Sequence, residues 1–193
     1  TREDGKASGK NITISKELSD SDLLKLWEDH LSGHQSVGIV PIDEHNNCVW
    51  GAIDVDEYQL DLKDLAIKIA EQKLPLVLCR SKSGGAHIYI FLKEPVAASM
   101  LQRKLRQIAA SIGYGQAEIF PKQTQLLLER GDRGSTLNMP YFGGENSTRY
   151  AYGKDGAALS PQEFLEYINN IKLSPSALEK LEASPLTETM EWL

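Results

Sequence analysis

Between residues 48 and 120 short apolar runs and amphipathic runs alternate in the order β-α-β-β-α-β, and no other feature of the chain narrows its possible folds so far. CVWGAIDVD (48–56), PLVLCR (75–80), AHIYIFL (86–92) and QAEIF (116–120) read as strands. Leu62, Leu65, Ala66 and Ile69 recur at helical spacing within 60–73, and Leu101, Leu105, Ile108, Ala109 and Ile112 do so within 97–112. The order predicts an α+β fold built on an RRM-like split β-α-β sheet with strand order 4-1-3-2. The first strand then lies between the third and the fourth and is antiparallel to both.

The flanks are less regular. Residues 1–18 are polar, carry no sustained period and are expected to form a partly ordered lead-in. Ser-Asp-Ser-Asp before LLKLWEDHLS predicts a capped helix over 19–32 stopped by Gly33, and VGIVPI (37–42) a strand; together they form an N-terminal α/β extension. After a loop over 121–135, TLNMPYF (136–142) and TRYAY (148–152) read as strands. Ser160-Pro161-Gln162-Glu163 sets a cap, a first-turn proline and a capping-box glutamate in register, and Ser174-Pro175 opens another helix. The expected organisation is a lead-in over 1–18, one domain over 19–158 with its RRM-like core at about 48–120, and a C-terminal helical segment over 159–193.

Composition excludes several classes. The 193 residues contain no apolar run of membrane-spanning length and no charged-then-apolar leader, so no membrane partner is expected and the cytoplasm is the default compartment. Two cysteines and four scattered histidines make neither a disulfide framework nor a structural zinc site, and no zinc is expected. Because the chain opens on Thr1, it is expected to be part of a longer protein. The net charge of −6 argues against indiscriminate coating of nucleic acid, yet residues 80–106 hold six basic residues against one acid.

The predicted topology makes the polar residues converge. Asp54 and Asp56 end the first strand, which places them beside His87 at the start of the third and Glu118 at the start of the fourth. Strand parity puts Asp54 and Asp56 on the face away from Ile53 and Val55, where the helices pack. Three neighbouring carboxylates repel one another unless a cation neutralises them. Oxygen-only donors favour Mg²⁺ or Mn²⁺, and such a set holds two ions about 3.5–4 Å apart for nucleotidyl or phosphoryl transfer. The bland reading is that the aspartates mark a strand end and cap the following helix. The loop Ser81-Lys82-Ser83-Gly84-Gly85 joins two strands and is therefore not a Walker loop, but its chemistry is similar. Glycine N–H groups, the hydroxyls of Ser81 and Ser83 and the charges of Arg80 and Lys82 suit a triphosphate, with His87 as a further donor. The alternative is a plain glycine hairpin.

AIDVD (52–56), SKSGGAHIYIF (81–91) and AEIFPKQ (117–123) resemble the three motifs of the archaeo-eukaryotic primase superfamily, the primase-polymerases. More narrowly, HLSG (30–33), GIVPI (38–42), RSKSGGAH (80–87), EIFPKQ (118–123) and LNMPYFGG (137–144) resemble primases of mobile elements and conflict systems. The likeness spans about residues 20–170. It implies DNA-templated nucleotidyl transfer by a catalytic domain over 19–158, with Asp54, Asp56 and Glu118 as ligands for two Mg²⁺ or Mn²⁺ ions. It also implies that His87 and the 81–85 loop hold the incoming triphosphate, with Lys122 as a further contact and Asn138 and Tyr141 lining the nucleotide or sugar site. Expected partners are a single-stranded DNA template, nucleoside triphosphates, and a helicase or nuclease module in the parent protein. One departure stands out: the small residue two before the histidine is Gly85, where the family pattern has serine.

Three rival readings use part of the same pattern. A nucleotide-sugar glycosyltransferase explains Asp54 and Asp56 alone, a metal-dependent nuclease needs no triphosphate loop, and a non-catalytic RNA-recognition-like domain uses Tyr89 and Phe91 as a stacking platform.

Overall fold

The computed structural model describes residues 12–14, 17–57 and 59–182; most of the lead-in and residues 183–193 of the C-terminal segment lie outside the described residues. In chain order the elements are α1 (Asp20–Leu31), β1 (Gly38–Ile39), β2 (Asn47–Val55), α2 (Leu62–Glu71), β3 (Val77–Arg80), β4 (Ala86–Ala97), α3 (Ala98–Ser111), β5 (Glu118–Phe120), β6 (Leu137–Asn138), β7 (Ala151–Tyr152), α4 (Pro161–Ile171) and α5 (Pro175–Lys180). The main sheet runs β5-β2-β4-β3-β7, every pairing antiparallel, and β1 with β6 makes a separate two-stranded ribbon. The predicted 4-1-3-2 core is present as an α+β fold, and β7 extends it on the β3 side.

Side-chain alternation divides the sheet into two apolar layers. Ile53 and Val55 of β2, Leu78 of β3, Ile88 and Ile90 of β4 and Ile119 of β5 face α2 and α3, and Leu178 of α5 joins this cluster. Ala52, Val77, Cys79, Tyr89 and Phe120 face the other way, against Leu137, Met139, Tyr141 and the α4 residues Phe164 and Ile168. Gly51 lets α3 close on the first layer, because a Cβ there would lie 2.7 Å from both Leu105 Cδ1 and the Phe120 carbonyl oxygen.

Local chemistry sets the helix ends. Ser19 accepts from Asp22 N–H, Asp61 from Asp64 N–H, and Ser174 from Ala177 N–H, while Ser160 and Glu163 form the full capping box. The outer strands are shorter than their apolar runs suggest. Pro41 and Pro140 remove ladder donors at the ends of the β1–β6 ribbon, which keeps only Gly38↔Asn138 and Ile39↔Leu137. β4 conversely runs past its expected end at Leu92. An irregularity opposite Cys48–Trp50 absorbs Pro95, after which Val96 and Ala97 pair again with Cys48 and Asn47. Among the described residues no helix is long and apolar enough to cross a membrane.

Candidate active site

Asp54 is the middle of a row of three. It pairs with His87 of β4 on one side and with Glu118 of β5 on the other, so the three side chains leave adjacent strands on the same face. His87 Nε2 lies 3.4 Å from Asp54 Oδ1. Asp56 follows one residue beyond β2, and its Oδ1 accepts from Ser83 Oγ at 3.3 Å. Glu118 Oε2 is 2.6 Å from Lys122 Nζ, which also stands 5.0 Å from the Phe120 ring centroid. The convergence expected from topology is therefore present at the level of register.

Each carboxylate has a different neighbour: His87 for Asp54, Ser83 for Asp56, Lys122 for Glu118. Among the described residues no three His, Cys, Asp or Glu side chains stand close enough together to hold one ion in this arrangement. The electrostatics nevertheless favour a cation. Burial first, then the charges of Glu118 and Asp56, push the Asp54 carboxyl up to about 6, against the opposing pull of Lys122. The donor set is all oxygen. The Glu118 side chain is 60% exposed, and the chemistry of this oxygen donor set fits a hard divalent ion.

His87 is neutral at physiological pH: burial, and next the charge of Arg149, hold it down at about 4, opposed by its bond to the Asn138 carbonyl and the charge of Asp56. Its Nδ1 is 3.2 Å from the Tyr89 hydroxyl, which donates to the Asn138 carbonyl oxygen. The tautomer follows the Tyr89 hydroxyl: while that donates to Asn138, Nδ1 carries the proton, and the approach of Nε2 to the Asp54 carboxylate favours the other tautomer. Turning the Tyr89 hydroxyl onto Nδ1 exchanges the tautomer and makes Nε2 a donor.

The glycine loop is compact. Ser81 N–H donates to the Gly85 carbonyl and Gly84 N–H to the Ser81 carbonyl, with Gly84 at φ +102. The hydroxyls of Ser81 and Ser83 are 3.0 Å apart and lead on to Asp56. Gly85 explains its own departure from the family pattern, since a Cβ there would collide with the Val55 carbonyl oxygen. Lys82 is exposed.

The remaining predicted residues separate. Arg80 pairs with Ala86, on the helical side of the sheet, while its neighbour Cys79 pairs with His87. Arg80 therefore points to the opposite face from His87. Tyr141 is buried, its hydroxyl donating to the Leu159 carbonyl and accepting from Ala151 N–H, so it serves the fold. Asn138 offers His87 and Tyr89 its backbone carbonyl, and its side chain is exposed. One cation escaped the sequence reading. Arg149 is half-buried, stacks 4.9 Å from the Phe142 ring centroid, donates to Ser36 Oγ at 3.1 Å, and its charge reaches His87. TRYAY had signalled only a strand, and no spacing links position 149 to the three motifs.

A model of the archaeo-eukaryotic primase domain of TOTE conflict systems matches residues 6–181. The chain belongs to this family. The match spans the three segments meeting around Asp54, and primase-polymerase-type nucleotidyl transfer is the activity class that membership suggests. Among curated proteins none matches this primase-family chain.

Proposed function

We propose that the chain is a DNA-directed primase-polymerase that makes or extends primers on single-stranded DNA from nucleoside triphosphates. The observation that carries this is the register: Asp54 is flanked at one level by Glu118 and His87, with Asp56 one step further along. Asp54, Asp56 and Glu118 would hold two Mg²⁺ or Mn²⁺ ions. Bound there, such ions supply Lewis-acid polarisation of the attacking hydroxyl and the reacting phosphate. The protein's own groups orient the nucleotide. Lys122, the ion-pair partner of Glu118, would supply a positive charge to the phosphates at this end of the row. His87 donates from Nε2 in its second tautomer, and the half-buried Arg149 adds charge from the loop side. Ser83 holds the Asp56 carboxylate in place.

A stacking-platform reading loses support, because Tyr89 is only 2% exposed and Phe91 packs against Phe164. With a net charge of −6, template affinity at physiological salt would come from a helicase or nuclease module in the parent protein.

The test is synthesis on single-stranded DNA with Mn²⁺ or Mg²⁺, ribo- and deoxynucleotides being supplied separately. The Asp54→Ala, Asp56→Ala double variant is expected to make no product while keeping its melting temperature. Wild-type activity in that variant, or degradation of the labelled strand without nucleotide-dependent extension, overturns the reading.

A further inference from the structure

The helical side of the sheet carries a cleft of its own. It has a volume of about 750 Å³ and is lined by Leu60, Asp61, Lys63, Arg80, Ser83 and Tyr152, among others. None of Asp54, Asp56 or His87 borders it. Tyr152 and Leu60 pack against the helical core cluster, as the parity of Arg80 requires. The volume falls within the range of about 300–1,000 Å³ usual for small-molecule sites.

Its chemistry is specific. Arg80 is half-buried and lies across the loop, with Nη2 3.4 Å from the position a Gly84 Cβ would take. Among the described residues neither Arg80 nor Lys63 forms an ion pair. Asp61, the acid in the cleft, is occupied in capping α2 through its bond from Asp64 N–H. Tyr152 stands beside Tyr150, ring centroids 5.2 Å apart, and forms an aromatic wall. A guanidinium and an ammonium without partners suit a phosphate chain, and a tyrosine wall suits a base. Asp61 repels phosphate at its own end, which directs the phosphates toward Arg80.

We propose that this cleft binds a second nucleoside polyphosphate, distinct from the one being incorporated, with its phosphates on Arg80 and Lys63 and its base against Tyr152. Ser83 lines the cleft and donates to Asp56 on the other side of the loop, so occupancy draws on the hydroxyl that positions this carboxylate. This second statement rests on the reading of Asp56 as part of the active site; the binding itself does not.

The experiment titrates a fluorescent ATP derivative into the protein in EDTA, where metal-dependent binding is suppressed, with inorganic tripolyphosphate and adenosine as separate competitors. Arg80→Gln is expected to weaken binding about tenfold and Lys63→Gln about threefold, on the scale of a lost charge-assisted contact. His87→Gln should change it less than about twofold, because His87 lies on the other face. Tripolyphosphate should displace the probe more strongly than adenosine. Lys63 is exposed, so its variant keeps the test valid if Arg80→Gln fails to fold. Unchanged affinity in Lys63→Gln together with Arg80→Gln, or a loss that follows His87→Gln instead, overturns the site. Binding that depends on Arg80 in a protein without primer extension removes only the proposed polymerase activity.

Discussion

The two faces of the main sheet are made by alternate residues of the same strands, yet they answer to different demands. Toward α2 and α3 the strands present Ile53, Val55, Ile88, Ile90 and Ile119, all buried and apolar. Toward the ribbon and α4 the same strands carry Asp54, His87 and Glu118 at one end of the sheet and turn apolar only one step further in, at Ala52, Tyr89 and Phe120. One face holds the fold together. The other sets a polar row on an apolar bed, where burial raises Asp54 and lowers His87 at some cost in stability.

The contrast is sharpest in activity. The Asp54→Ala, Asp56→Ala variant should lose at least about a thousandfold in extension rate, or about 4 kcal/mol in barrier, without loss of melting temperature. Leu105→Ala, on the fully buried helical side, should do the reverse and cost about 2–5 kcal/mol by denaturant unfolding. Surviving variant molecules should then keep wild-type turnover. Asp54→Asn, measured in chelator at pH 8, should stabilise the protein by about 2 kcal/mol, since a carboxyl raised from 3.8 to about 6 destabilises the fold when ionised.

The pH profile separates the polar pair. His87 is held at about 4 against an ordinary 6.5, so acidification from 6.5 towards 4 protonates the unfolded chain first and lowers stability. Asp54 acts oppositely: the folded state takes up its proton first, and stability rises as pH falls from about 6 to 3.8. Wild type should therefore show a shallow profile over this window and Asp54→Asn a steeper acid loss, read as melting temperature against pH. A steeper profile in wild type than in Asp54→Asn would contradict the assignment. The smallest effect expected is in Arg149→Gln, a severalfold rise in the KM for nucleotide accompanied by an upward shift of the His87 pKa measured by NMR.

The sheet and its row of acids were legible because they depend on period and order. Apolar alternation located β2, β4 and β5, and the split topology then forced Asp54 between His87 and Glu118. The face that Arg80 takes was not legible, because it depends on hairpin register: Cys79 pairs with His87 and Arg80 with Ala86, and a one-residue difference in the 81–85 loop would exchange them. Tyr141 and Arg149 arrive on irregular segments held by long-range bonds to Leu159 and Ser36, which no local pattern encodes. The short β1 and β6 follow from Pro41 and Pro140, which interrupt apolar runs that would otherwise pair further.

Glu118 stands on the shortest strand of the row, an outermost strand whose register comprises only Ala52↔Phe120, Ile53↔Ile119 and Asp54↔Glu118. Fraying of that margin detaches one acid from the other two while the helical core stays intact. On warming, catalytic competence should accordingly vanish reversibly some degrees before the molecule melts, with the border strand acting as a thermal fuse.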